Sequence, residues 1–232
     1  MENTLLKASS LRKTVISYIY SQMFNNNLNI SCKIAWAEDL GYQIDDKKWK
    51  QIFLNAKKIT SSNKTHETQY KIIHRLHVTP AIRSKYDPTC SAQCLKCKNT
   101  VGTYSHMIWS CPKIITFWLK VRKELKKVFD LNIYLNPMNI ILGIVSNYEV
   151  RYRYIIRIAQ YAARLSILQK WLDEDPPDIK LWYEKLMSIL PMERLSYVLR
   201  GTLADFVNDW SPIARYLKEE WKKVICMGTM NT

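Results

Sequence analysis

Four residues have types and spacing that could do chemistry together. They are Cys94, Cys97, His106 and Cys111, in the segment CLKCKNTVGTYSHMIWSC. Two thiolates separated by two residues can grip one ion from a tight turn. A His and a Cys with four residues between them stand about a helical turn apart and can close a tetrahedron from the other side. Four protein ligands leave no open position, so the spacing predicts a structural Zn2+ site rather than a catalytic one. Cys90 is an alternative ligand, although Cys94 and Cys97 make the better clamp. The bland alternative is a set of unrelated buried thiols. Against it, Lys96, Lys98, Asn99 and Gly102 mark a polar loop, and Pro112 suits the first position of a following helix.

No other constellation carries chemistry. Asp45 and Asp46 follow Tyr42, but their spacing misses that of a polymerase metal hairpin, and helix capping accounts for them. Asp173, Glu174, Asp175 and Asp178 surround two prolines and read as a solvated turn. His74 and His77 have no cysteine pair beside them and read as surface or interface side chains. No nucleophile elbow, phosphate loop or dinucleotide glycine set is present. The expectation is a protein that is not an enzyme and has no small-molecule substrate.

Charge supplies the second signal. The formal net charge is +15. Between Lys47 and Lys127 there are 18 Lys or Arg and only three acids, Glu67, Asp87 and Glu124, so this stretch holds the whole excess. A localised basic zone is the footprint of a polyanion partner. A merely solvated surface is the alternative. An acidic membrane is a weaker rival, since the zone lacks an apolar helix face that would insert. No apolar run is long enough to span a bilayer. The first 20 residues lack the apolar core and cleavage site of a signal peptide, and their amphipathic stripe argues against a transit peptide. Six cysteines without a disulfide-like pattern suit a reducing compartment, cytoplasmic or nuclear.

The elements that must position these residues read as helices. Five glycines are few for a turn-rich β fold. Apolar periodicity predicts helices over about 5–24 and 31–40, one after Asp45-Asp46 that carries Trp49, Ile52, Phe53 and Ala56 on one side, and one over about 65–76, with Tyr70, Ile73 and Leu76 inward and with Lys71 and Arg75 sharing another face. Thr79-Pro80 is expected to end that helix. After Pro112, Ile114, Phe117, Trp118, Val121, Leu125 and Val128 form an apolar stripe, while Lys113, Lys120, Lys123 and Lys127 face out as a phosphate-tracking row. A long helix is expected over 150–172. Asp178 caps the next, and a separate segment is expected from Pro191. Ser211-Pro212 reads as a cap and first turn of a last helix bearing Ile213, Leu217, Trp221 and Val224. The expected class is all-α, a multi-helix scaffold with an inserted CCHC zinc knuckle.

Several of these residues also resemble a known family. Gln69 to Pro80 (QYKIIHRLHVTP), Cys94-x2-Cys97, Gly102 to Pro112 (GTYSHMIWSCP) and Phe117-Trp118 are similar to the C-terminal zinc-binding region of LINE-type (non-LTR) retrotransposon reverse transcriptases. Leu142-Gly143-Ile144 and the helices at Trp171 and Trp182 extend the likeness over roughly residues 30–200. The resemblance implies that residues 1–88 match the end of the polymerase thumb and its connection, 89–128 the zinc knuckle with its basic helix, and 129–232 a C-terminal helical segment. It implies Cys94, Cys97, His106 and Cys111 as the zinc ligands, and RNA binding in support of target-primed reverse transcription. The palm, the fingers and the endonuclease have no counterpart here.

The combined expectation is a free-standing, non-catalytic module that binds RNA, or DNA, through Lys71, Arg75, Arg83, Lys85, Lys96, Lys98, Lys113 and Lys120. Tyr104 is expected to stack on unpaired bases, and Trp109 and Trp118 to lie in the core. The alternatives are a protein-interaction scaffold or an inert retrotransposon fragment.

Overall fold

A computed structural model describes residues 31–60, 62–130, 133–144 and 152–217. The expected helix over 5–24, along with Trp221 and Val224, lies outside these residues. Among the described residues the fold is all-α, with no strand and a single antiparallel bridge, Gln93 to Val101. The chain divides into two compact units, Met1–Asp45 and Asp46–Thr232.

In the first unit, α1 (Ser31–Leu40) buries Cys32, Trp36 and Ala37. It stops where expected, because Gly41 adopts φ +74. The amides of Gly41 and Tyr42 then reach back to the carbonyls of Glu38 and Ala37, satisfying two groups that a helix end leaves open.

The second unit begins with α2 (Asp46–Lys57), α3 (Asn63–Ile73) and α4 (Pro80–Tyr86). It continues through α5 (Pro112–Phe129), α6 (Pro137–Ile140), α7 (Arg153–Gln169), α8 (Ile179–Leu199) and α9 (Leu203–Leu217). Its centre is α7, which packs against α5, α6 and α8. Ile155, Ile156, Ile158 and Ile167 on α7 are fully buried. Each such side chain contributes about 1.5–3 kcal/mol of apolar burial. The smaller Ala159, Ala162 and Ala163 let neighbouring helices approach, and the Trp182 indole of α8 donates to the Ala159 carbonyl at 2.9 Å.

The predicted α5 stripe is the buried face of that helix, from Ile114 to Leu125, with Val128 half-buried. Asp178 caps α8 as expected, accepting from the Leu181 amide at 2.8 Å.

Four local expectations need correction. Thr79-Pro80 does not only follow a helix; it starts one, since the Thr79 hydroxyl accepts from the Ile82 amide and Pro80 takes the first turn of α4. The preceding helix ends at Ile73, and Arg75 is left-handed at φ 58, so Arg75 shares no helix face with Lys71. Leu76 then lies past the helix and is exposed, not inward. Pro191 and Pro212 sit inside α8 and α9 rather than starting new helices. At Pro212 the missing amide would orphan the Asn208 carbonyl; the Ser211 hydroxyl supplies the hydrogen bond instead, at 2.9 Å.

Candidate metal centre

The site is a hairpin tip facing a helix entrance. The Gln93–Val101 bridge and the hydrogen bonds from Gly102 to Ala92 and from Cys94 to Thr100 zip the hairpin. The Lys98 amide closes the tip on the Cys94 carbonyl at 2.8 Å, and Lys98 takes φ 58 to make that turn. This places the Cys94 and Cys97 sulfurs on one side of a tight loop.

The opposing pair owes its geometry to a π turn over His106–Ser110. A π turn bonds residue i to i+5, and a His with four residues before a Cys has that spacing. The Cys111 amide accordingly donates to the His106 carbonyl at 3.0 Å. Cys111 is also the N-cap of α5, where the amides of Ile114 and Lys113 favour its thiolate form without a side-chain cap hydrogen bond. A thiolate there meets the positive end of a helix dipole.

One ligand atom from each of Cys94, Cys97, His106 and Cys111 lies within 4.8 Å of the others. The Cys94 and Cys111 sulfurs are 3.9 Å apart, and the Cys97 sulfur is 3.3 Å from His106 Nε2. Bond lengths of about 2.3 Å to sulfur and about 2.0 Å to nitrogen around a tetrahedral ion would give edges of this size. Cys94, His106 and Cys111 are buried and Cys97 is half-buried. These four residues could therefore hold a metal ion in a closed sphere. Cys90 stands apart from the group, its thiol donating to Asp87 Oδ2 at 3.0 Å.

Burial raises the Cys97 thiol pKa, but the Thr100 hydroxyl, the Asn99 and Thr100 amides and His106 outweigh it and hold the group at about 6. Burial pushes Cys111 up to about 11, against the amides of Ile114 and Lys113. A bound cation would override both and keep the sulfurs as thiolates.

Two contacts fix this knuckle to the turn after α7. Lys96 is 2% exposed, and its Nζ donates to the carbonyls of Lys170, Trp171 and Asp173 at 2.6, 3.1 and 3.0 Å. Burial pulls this ammonium below the ordinary lysine range, while the Cys94 and Cys111 sulfurs and Asp173 pull back. Lys96 thus leaves the set of phosphate-binding candidates, because all its donors point inward at a helix C-terminus. Lys98 remains exposed and pairs with Glu174 at 2.9 Å.

An aromatic joint forms the second wall. The Tyr104 ring lies 5.3 Å from Trp171, its hydroxyl is 3.0 Å from His77 Nδ1, and the Arg75 guanidinium sits 5.4 Å over its face. The Trp171 indole donates to the Val78 carbonyl at 2.6 Å. Tyr104 is therefore a buried joint and not a platform for bases, and Arg75 is half-buried against it. Gly102 closes the same joint, since a Cβ there would stand 2.9 Å from Pro80 Cγ.

The other basic candidates remain on the surface. Lys71 is exposed and pairs with Glu67, and Arg83, Lys85, Lys113 and Lys120 are exposed. Trp118 is core and Trp109 is half-buried against it at 6.4 Å. Residue patterning missed Tyr86, which is 81% exposed at the end of α4, in the same short helix as Arg83 and Lys85. An aromatic ring directly after Arg83 and Lys85 was the available signal.

No helix of the described residues is long and apolar enough to cross a membrane. No known family model matches the chain.

Proposed function

We propose that this protein is a zinc-stapled, non-catalytic nucleic-acid-binding module, with single-stranded RNA as its preferred partner and DNA second. The observation that carries the reading is the closed Cys94, Cys97, His106, Cys111 sphere set among exposed cations. Three sulfurs and one imidazole, with their donor atoms within 4.8 Å of one another, favour zinc over harder cations. A sphere with four protein ligands offers no position for a substrate, which supports a structural ion. Phosphates would meet Arg83, Lys85, Lys98, Lys113 and Lys120, with Lys71 further along α3. Tyr86 takes the stacking role first sought in Tyr104. The likeness of residues 69–118 to the tail of LINE-type reverse transcriptases supports RNA as the polymer and a retrotransposon origin for the chain.

Fluorescence anisotropy with a single-stranded RNA across a salt series tests this reading. Tight binding at about 50 mM salt that weakens steeply by about 200 mM supports it. Absence of binding at low salt, or a flat salt dependence, contradicts it.

One observation favours a protein-docking reading instead. Met192, Leu195 and Leu199 on α8 are 52%, 45% and 78% exposed, and their spacing of three and four residues puts them on one helix face. If that face is the working one, substituting these three residues abolishes capture of a host protein and leaves RNA affinity unchanged.

A further inference from the structure

We infer that the chain carries a second anion site, a nucleotide-sized pocket at the opposite end of α7 from the knuckle. The pocket has a volume of about 470 Å³ and is lined by Lys57, Lys58, His66, Tyr154, Tyr197 and Arg200, with Thr60 at its edge. That volume lies within the usual range for sites that take a small ligand.

The chemistry of its walls selects the occupant. Lys57 ends α2, Lys58 follows it and Arg200 caps α8, so three basic side chains converge from two helix ends. Among the described residues no carboxylate forms an ion pair with any of the three, and no acid lines the pocket. The two phenols cannot add acidic or donor character, because both hydroxyls are already used. Tyr154 donates to Glu193, and Tyr197 donates to Asp209 Oδ2 at 3.1 Å. Their rings are left as flat apolar walls. His66 Nε2 is likewise held at the Thr60 carbonyl, 2.7 Å away, which fixes the ring at the rim. Cations beside flat aromatic walls fit a ligand with an anionic group and a planar apolar group. A nucleotide, with its phosphate and base, has that composition.

Position gives the pocket its meaning. Tyr154 is the second residue of α7, and Lys96 of the knuckle docks just beyond the last. At about 1.5 Å per residue, the helix separates the two sites by roughly 25 Å. A stacked strand advancing about 3.4 Å per phosphate, as one strand of a duplex does, spans that distance in about seven nucleotides. The pocket therefore serves as a far anchor for one end of a strand whose other end lies on the knuckle surface. This geometry of use rests on the nucleic-acid reading above, whereas the pocket's affinity for a mononucleotide does not.

The test uses the full chain and adenosine 5′-monophosphate as probe, read by side-chain NMR signals of Tyr154, Tyr197 and His66. The monophosphate should shift these signals and leave those of Tyr104 and His106 unmoved, and adenosine alone should shift them far less. A Lys57→Ala/Arg200→Ala variant, altered only at exposed positions, should lose affinity about tenfold or more. A probe that shifts none of these signals, or shifts them equally in the variant, overturns the site. Inositol hexakisphosphate that binds more tightly without moving the tyrosine signals would overturn the nucleotide assignment in favour of a bare polyphosphate. In the same variant, affinity should fall for RNA longer than about seven nucleotides and hold for shorter strands. If the wild type binds no RNA yet responds to the monophosphate, the knuckle reading fails while the pocket stands.

Discussion

The Lys96 ammonium, on a residue between the candidate metal ligands Cys94 and Cys97, donates to the Lys170 carbonyl at 2.6 Å and so caps the C-terminal end of the central helix α7. One residue thereby ties the metal knuckle to the core. The Trp171 and Asp173 carbonyls, in the turn that follows α7, accept from the same atom, so a full positive charge closes that turn. The knuckle is in this sense a part of the helical core and not an appendage.

That relationship separates stability from binding. Lys96→Met should lower stability by about 1–3 kcal/mol, the cost of leaving buried carbonyls without donors. Chemical denaturation measures it. RNA affinity should stay within about twofold of wild type, in contrast to changes at the exposed lysines.

Metal removal should reach further than the hairpin. Chelation is expected to expose the amides of residues 90–112 to hydrogen exchange and, through loss of the Lys96 cap, those at the end of α7 near residues 166–171. The fully buried helix centre around Ile158 should keep its protection. Exchange that stays confined to the hairpin would argue that the cap survives without the ion.

Gly102→Ala places a methyl group 2.9 Å from Pro80 Cγ and 3.0 Å from Pro80 Cβ. Proline cannot swing away, so the joint between α4 and the knuckle must open. A loss of about 1–3 kcal/mol is expected, typical of an overpacked contact. Thermal unfolding checks this, and an unchanged midpoint would show that the joint carries no load.

Surface charge should carry affinity. Reversing Arg83, Lys85, Lys113 and Lys120 to Glu should weaken RNA binding by more than about tenfold at low salt. It should also flatten the salt slope by roughly 0.7 for each lost phosphate contact. Tyr86→Ala should weaken single-stranded RNA by about 1–3 kcal/mol and double-stranded RNA much less.

Acid stability should depend on Glu124. Burial alone would raise its pKa, but hydrogen bonds from Tyr216, Lys127 and Tyr183 outweigh it and hold the carboxyl below the ordinary glutamate value. A depressed folded pKa adds stability that is fully present above the unfolded value. It is lost as pH falls through the folded one. The stability gap between wild type and Glu124→Gln should therefore be constant near neutrality and close as the pH drops below about 4.3. Denaturant titrations at several pH values would measure that gap.

The Cys94, Cys97, His106, Cys111 cluster was legible because metal chemistry would constrain spacing along the chain. A two-residue gap makes a clamp, and a four-residue gap fits a π turn. The α5 stripe and the Asp178 cap were legible because burial periodicity and capping are local. Lys96 was not, since a lysine in a polar loop looks like solvent-exposed charge until a distant helix end arrives to use it. Tyr104 was misread for the same reason, since it packs on Trp171 from far along the chain, and Arg75 because it sits over the Tyr104 ring. Thr79-Pro80 and Pro191 show that a proline marks a boundary without saying which side the helix lies on, or whether packing carries the helix through it.

X-ray absorption at the zinc edge, with metal quantification on the purified full chain, tests the centre of this account. One zinc per chain, bound by three sulfurs at about 2.3 Å and one nitrogen at about 2.0 Å, is the expected result. A chain that folds without zinc, or a shell dominated by oxygen, would contradict it.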